Sequence, residues 1–472
     1  MSVTEICAAP AEDLLGAAAE SPAGPARDGI DGLLPPPGVG LSPLAQTLRT
    51  SVRQLEFVFG ARRRHGDVFA IRLRTIRGRP VVTSHPDHVR SLFRADPTDA
   101  PSLTGESPLR PIVGPNSTLT ALGDRHMRQR KLLLPSFHGE AVQRYTQMIA
   151  DAVEREIDSW PVARPFALAP RMQAITLDVI MSAIFGFEGR TARGTPEHRL
   201  RRVIRALTEV STWPAARVAE LLDTGRREPT GVQRAALGIV DRATYAVIHE
   251  RRVAPDLAER TDIMSLLMQA RDDAGEPLDD RELRDELLTL VLAGHETTAN
   301  SLAWTFERLV RAPDAYDRLR AAVREDDDAA AVVEATINEG MRSRPVIPII
   351  GRRVTVPWRL GEFGVEAGRP VLVSILLLHH REDLYPDPFS FRPERFLHRK
   401  PGTYEWVPFG GGIRRCLGAT LAMAEQRAVL EAVARRTDLE AARPDPERVV
   451  HRNVTMIPAQ GARVVVRERR RA

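Results

Sequence analysis

Phe409-Gly410-Gly411-Gly412-Ile413-Arg414-Arg415-Cys416-Leu417-Gly418 is the stretch on which the reading of this chain turns. Three consecutive glycines permit positive φ and a close approach of backbone to a flat ligand. Cys416 stands where a closing helix begins, read from about Leu417 to Arg435. Its sulfur then faces the positive end of that helix and the N–H groups of its first turn. Both lower a thiol pKa and favour thiolate, and Arg414 and Arg415 add positive charge. A lone cysteine after a glycine-rich turn is more often an inert buried side chain. Here Phe, Gly, Arg, Cys and Gly sit together at fixed offsets, which argues for chemistry. A phosphate cradle needs a Lys-Ser/Thr ending, which is absent. A zinc site needs several ligands, and the sequence has no CxxC and no nearby Cys/His cluster.

The 472 residues are 43% hydrophobic and 27% charged, enough for a large core and unlike a disordered chain. A formal charge of +5 mildly favours acidic partners, a redox protein and nucleic acid alike. The runs Arg62-Arg63-Arg64 and Arg469-Arg470-Arg471 lack interleaved aromatics and read as solvated basic faces. No nucleic-acid partner is expected. The two cysteines are Cys7 and Cys416. Cys7 lies in an Ala/Pro/Gly-rich leader, so no structural disulfide is expected and a reducing cytoplasm is the default. No apolar run approaches the roughly 18 residues of a membrane span. Glu5, Glu12 and Asp13 open the chain where a secretory signal would be basic and then apolar. The reading is therefore cytoplasmic, with no transmembrane anchor. Residues 1–40 read as a disordered leader closed by Pro35-Pro36-Pro37-Gly38, and residues 41–472 as a single domain.

Within that domain, Val68 to Leu73 and Pro80 to Thr83 read as strands, and Pro86 to Phe93 as a helix. Pro97 to Thr120 reads as a long loop, a common place for function. Helical patterns dominate from Arg125 to about Arg344, including Tyr145 to Trp160, Ile175 to Phe185 and Arg199 to Glu209. The longest helix runs from Arg281 to Val310. Val354 to Val373 turns β-like, and Asp383 to Pro408 is proline-rich with little periodicity. The class is mostly α with small β-sheets.

Leu287 to Leu309 is apolar on most faces and should be a buried central helix. Ala293-Gly294-His295-Glu296-Thr297-Thr298 interrupts it with groups that are costly to bury without partners. From the helix alone two readings stand open for Thr297: a bond back to the Ala293 carbonyl, or a hydroxyl kept for chemistry. A zinc-protease reading fails, because Ala299 stands where the second histidine is needed.

The cysteine loop resembles the haem-binding signature of the cytochrome P-450 family at Phe409, Gly412, Arg414, Cys416 and Gly418. The central hexapeptide resembles that family's oxygen-activation motif, and the two stand in the family's order. The resemblance spans residues 41 to 472 and implies haem b held between the long central helix and the cysteine loop. It implies Cys416 as the iron ligand, Arg414 as a haem propionate partner, and Phe409 beside the sulfur. It implies that Ala293 and Gly294 open a groove over the iron, in a helix distorted by Thr hydrogen bonding, while Glu296 and Thr297 relay protons. Glu339, Arg342 and Arg395 resemble the family's Glu-Arg-Arg triad, which locks the segment before the cysteine loop. His126 and Arg130 share one helical face, and the resemblance makes both propionate partners. Arg352 takes a third such role, with the adjacent Arg353 able to serve instead. One departure is Arg344-Pro345-Val346, which stands where members carry a double proline.

The implied activity is a monooxygenase that inserts one atom of O2 into a lipophilic small molecule. About 50 residues follow Cys416, too few for a reductase domain, so electrons are expected from a ferredoxin and ferredoxin reductase. Arg128, Lys131, Arg414 and Arg427 are read as the docking face. The substrate pocket is expected from Thr98 to Thr120, around Trp213, at Leu292 and Ala293, and from Val346 to Ile349 and Thr455 to Ile457. Two rivals are a peroxygenase or isomerase on the same scaffold and a non-catalytic haem-binding sensor.

Overall fold

The computed structural model describes residues 23–471 apart from 75, 77, 138, 188–191, 211–227, 230, 326–327 and 453. The expectations for Cys7, for residues 1–22 and for Trp213 lie outside the described residues.

Helices make up most of the chain, arranged about one long helix, Asp280–Leu309. At about 1.5 Å per residue it spans roughly 45 Å. Its start is fixed locally. The Asp279 carboxylate accepts from the N–H groups of Arg281 (2.8 Å) and Glu282 (2.7 Å), and the Glu282 carboxylate accepts from Asp279 N–H (3.1 Å). This reciprocal cap satisfies donors that the helix itself cannot. The helix Ala169–Phe185 packs along the central helix and ends at Gly186, whose φ of 68° suits a residue without a side chain. Gly294 serves the same packing: a Cβ there would collide with Ile180. The glycine is thus required on the face opposed to Ile180. The helix runs as continuous α through the polar hexapeptide.

Two of the small sheets pack in hydrophobic clusters of their own beside the helical core. Strands β2 (Val68–Ala70), β3 (Val81–Thr83), β8 (Pro370–Ser374) and β5 (Ile349–Arg353) make a four-stranded sheet in the order β2-β3-β8-β5. β3 and β8 are parallel, with Val82 opposite Leu372, and β5 returns antiparallel, with Arg352 opposite Val371. β1 (Ala23–Pro25), β6 (Trp358–Leu360) and β7 (Phe363–Val365) form another sheet.

That sheet corrects the expected leader. Ala23 pairs with Leu360, Leu34 bridges to Phe363, and Gly38 bridges to Ala70. Residues 23–40 therefore belong to the folded unit. Proline cannot donate a backbone hydrogen bond but can still accept one. Pro37 carbonyl accepts from Ala70 N–H at 2.7 Å, and Val39 N–H donates back to Ala70 at 3.0 Å. A run that reads as a breaker serves here as a strand edge. The expected long loop is also partly regular, with a 3-10 turn at Leu103–Glu106 and a short helix at Arg110–Val113. After the closing helix, Ala419–Arg436, the chain adds β9 (Thr437–Ala441), β10 (Val449–Arg452), β11 (Thr455–Pro458) and β12 (Arg463–Arg469), and β12 lies between β9 and β4 (Phe166–Ala167).

The second basic run is tied to the folded body by two of its members. Arg469 donates to the carbonyls of Ile157, Asp158 and Trp160, and Arg470 pairs with Asp438.

Candidate functional site

The cysteine loop is closed by its own backbone: Cys416 N–H donates to the Phe409 carbonyl at 2.9 Å, and Arg415 N–H to Gly412 at 3.0 Å. Two of its glycines are required by a neighbour. A Cβ at Gly411 would meet the Phe93 ring, and one at Gly412 (φ 62°) would meet the Phe93 carbonyl. Close approach is therefore demanded by the helix Pro86–Arg94. Phe409 stands edge-on to Trp406, with ring centroids 6.2 Å apart.

Cys416 lies two residues before the Gly418 cap of the closing helix. Protein surrounds it, yet its surface is open. These facts agree if the thiol lies on the floor of a cleft. Burial pushes its pKa up, against the opposing pulls of Gly418 N–H, Arg130 and Arg415. The expected depression is therefore outweighed within the protein alone, because desolvation disfavours the charged form.

Four basic side chains gather near this floor. His126, Arg352 and Arg414 line one cleft together with Phe93 and Ile413. His126 and Arg130 come from the helix Gly123–Leu133, and Arg352 from β5. Burial, then the charges of Arg414, Arg130 and Arg352, push the His126 pKa down to about 3, so its imidazole is neutral. Burial lowers Arg352 and Arg414 to about 10. No carboxylate among the described residues contributes to the shifts of any of the four. A buried basic cluster without a counter-ion calls for an anion. Arg353, one residue along the strand, faces elsewhere and holds Glu106 through both terminal oxygens, at 2.8 and 2.9 Å. The donor set, one thiol with three arginines and a neutral imidazole near it, would fit a group that carries a metal ion and anionic substituents.

The central helix is open at one place. Ala293 is exposed, and Leu292, Gly294, Glu296 and Thr297 are half-buried, in a helix that is otherwise mostly buried. Ala293 and Thr297, one turn apart, share a face. Thr297 Oγ1 donates to the Ala293 carbonyl at 2.7 Å. Glu296 meets Arg452 and Thr455, which the sequence reading did not single out for that role.

The triad residues come together. Arg342 grips Glu339 through two bonds, 2.6 and 2.8 Å, both side chains fully buried. Arg342 also donates to the carbonyls of His379 and Pro388, and Arg395 to those of Pro386 and Asp387. Arg395 reaches Glu339 at 3.3 Å. These bonds give the aperiodic 383–408 segment its shape, as backbone carbonyls outside regular structure need partners.

Further buried carboxyls escaped the sequence reading. Glu286 accepts from Thr118 N–H at 2.8 Å and Asp285 from Asn116 N–H at 3.0 Å. Arg414 holds the same loop from the other side, at the carbonyls of Thr118 and Ala121. Burial pushes Glu286 up to about 8. It does the same to Glu425, which Thr298 opposes by hydrogen bonding. For Glu286 the signal was present in Asp285-Glu286-Leu287-Leu288, two acids directly before an apolar run.

The expected docking face is largely neutralised. Arg128 pairs with Asp272 and Glu282, Lys131 with Asp273, and Arg427 with Glu334, while Arg414 points inward. No helix among the described residues is long and apolar enough to cross a membrane.

Comparison with known proteins places these features among relatives. The family model for cytochrome P450 matches residues 35–466. A Mycobacterium tuberculosis protein named cytochrome P450 137 is 38% identical over 424 residues, covering 86% of this chain and 84% of its own. Cytochrome P450 135B1 of Mycobacterium bovis is 36% identical over 442 residues, covering 92% of each. Among solved structures, cyanobacterial CYP120A1 bound to retinoic acid superposes with a TM-score of 0.75 at 23% identity, covering 92% of this chain and all of its own. The cytochrome P450DA heme domain gives 0.76 at 22% identity, covering 93% and 98%. At such identities the solved structures speak to the fold.

Proposed function

The chain belongs to the cytochrome P450 family, and from that premise we propose that it is a haem b monooxygenase acting on a lipophilic small molecule with electrons from a ferredoxin and its reductase. The observation that carries the reading is exposed Cys416 beside a basic cluster that no carboxylate among the described residues neutralises. When bound, haem ligated by the Cys416 thiolate supplies the reductive activation of O2 and the transfer of one oxygen atom.

The protein's part follows from its own side chains. A thiol that burial keeps protonated loses its proton on metal ligation. Arg130, Arg352 and Arg414 offer charge-assisted bonds to two propionates. Neutral His126 adds a hydrogen-bond donor without further repulsion. Ala293 leaves space on the cleft side of the central helix. Thr297 holds its hydroxyl there, and Glu296 supplies a carboxylate one residue before it. Together they can pass protons into a site that excludes bulk water. The expected lining residues Leu292, Ala293 and Val346 to Ile349 are apolar, which favours a lipophilic substrate. Arg415, exposed beside Cys416, is the cation best placed for an acidic redox partner.

The test is turnover under isotope-labelled O2 with ferredoxin, its reductase and NADPH, using substrates selected by a shift of the Soret band. One labelled oxygen per product is expected, and Thr297→Ala should keep consuming NADPH while diverting electrons to peroxide. Unlabelled product, or full coupling in Thr297→Ala, would favour the peroxygenase or isomerase.

A further inference from the structure

The acid of the central helix is held in place by a strand from the far end of the sequence. Arg452 Nε stands 2.8 Å from Glu296 Oε1, with side-chain exposures of 8% and 18%. The N–H does not aim straight at the oxygen, so this is a charge pair more than an aligned hydrogen bond. Thr455 Oγ1 lies 3.1 Å from the same oxygen and 2.7 Å from the Arg452 carbonyl, and its single proton serves one at a time. The hairpin that carries both residues is itself fixed. β10 and β11 pair with Val450 opposite Ile457. Met456 carbonyl accepts from Trp304 Nε1 of the central helix at 2.9 Å, and Met456 N–H donates to Val346 at 2.7 Å. Among the described residues Glu296 is the one carboxylate paired with Arg452.

A half-buried carboxylate on a helix has several rotamers, and one tied to a nearly buried arginine has few. We infer that Arg452 is a positioning residue that clamps the Glu296 carboxylate to the β10–β11 hairpin, so that proton delivery beside Thr297 depends on that hairpin. The inference rests on the proposed monooxygenase reading. Removing the guanidinium leaves Glu296 with Thr455 as its partner among the described residues, free to swing from its direction. Electrons are then lost to peroxide although haem, Cys416 and Thr297 are untouched.

The experiment compares wild type, R452M, R452K, E296Q and the double variant R452M/E296Q as holoenzymes. One readout is product formed per NADPH oxidised; the other is amide hydrogen exchange across residues 449–458. R452M should lose coupling several-fold, R452K should recover most of it, and the double variant should be no worse than E296Q, because the two act as one unit. Hydrogen exchange in the hairpin should rise in both R452M and E296Q. Normal coupling in R452M beside impaired E296Q overturns the clamp and leaves the monooxygenase reading standing. If wild type itself shows no turnover, that reading fails, and exchange alone decides. Unchanged hairpin protection in both variants would then overturn the clamp.

Discussion

At the scale of single residues, neighbours in sequence serve different ends. Arg352 and Arg353 alternate on β5, and the period of a strand sends them to opposite faces. Arg352 is 7% exposed in the basic cleft, whereas Arg353 closes on Glu106 at the surface. Arg352→Ala should therefore yield protein that loses haem readily, seen as a lower ratio of Soret to protein absorbance. Arg353→Ala should keep its haem and lose no more than about 1 kcal/mol of stability, the usual worth of an exposed pair. Equal haem loss in both would contradict the assignment. The sequence left this choice open, because adjacent arginines look alike until a strand's register is known. Cys416 was legible from its motif, but the balance that raises its pKa was not, since desolvation depends on the whole surrounding shell.

At the scale of elements, the central helix carries two polar interruptions with separate duties. The middle one leaves Ala293 exposed and Thr297 half-buried on one face. The earlier one, Asp285 and Glu286, ties down the loop that runs from Gly114 to Ala121. Glu286 is held near pKa 8, above its ordinary 4.5, by burial. Its carboxyl is neutral in the folded protein across a range where the unfolded chain ionises it. The unfolded state therefore releases a proton that the fold retains, and stability falls as pH rises from about 4.5 to about 8. The melting temperature should drop over that window, and Glu286→Gln should remove part of the drop, worth about 2 to 5 kcal/mol. An identical pH dependence in the variant would show that Glu286 ionises freely. Periodicity found the central helix to within a residue at each end, because its apolar run is long and its cap is local. It missed the loop's short helix and the strands after Arg436, of which β12 pairs with residues as distant as Phe166 and Ala167.

At the scale of the whole molecule, the fold is a helical body with small sheets at its side, drawn together by long-range polar locks. The Glu339–Arg342–Arg395 knot shapes the approach to the cysteine loop, and β1 staples the start of the described chain to β6. The mostly α class with small sheets was readable from composition and period. The first folded residues were not, since a proline cluster reads locally as a break. A chain beginning at Leu41 should melt a few degrees below the full-length protein, as loss of a paired strand and of the buried Ala23 exposes β6. Equal melting would mean that β1 contributes nothing. The central claim is that the sulfur at position 416 holds the iron, and it is tested most directly by the spectrum of the reduced protein under carbon monoxide. Wild type should show the long-wavelength band peculiar to thiolate-ligated haem, and Cys416→Ala should lose it while the fold remains. Survival of that band in Cys416→Ala would contradict the account.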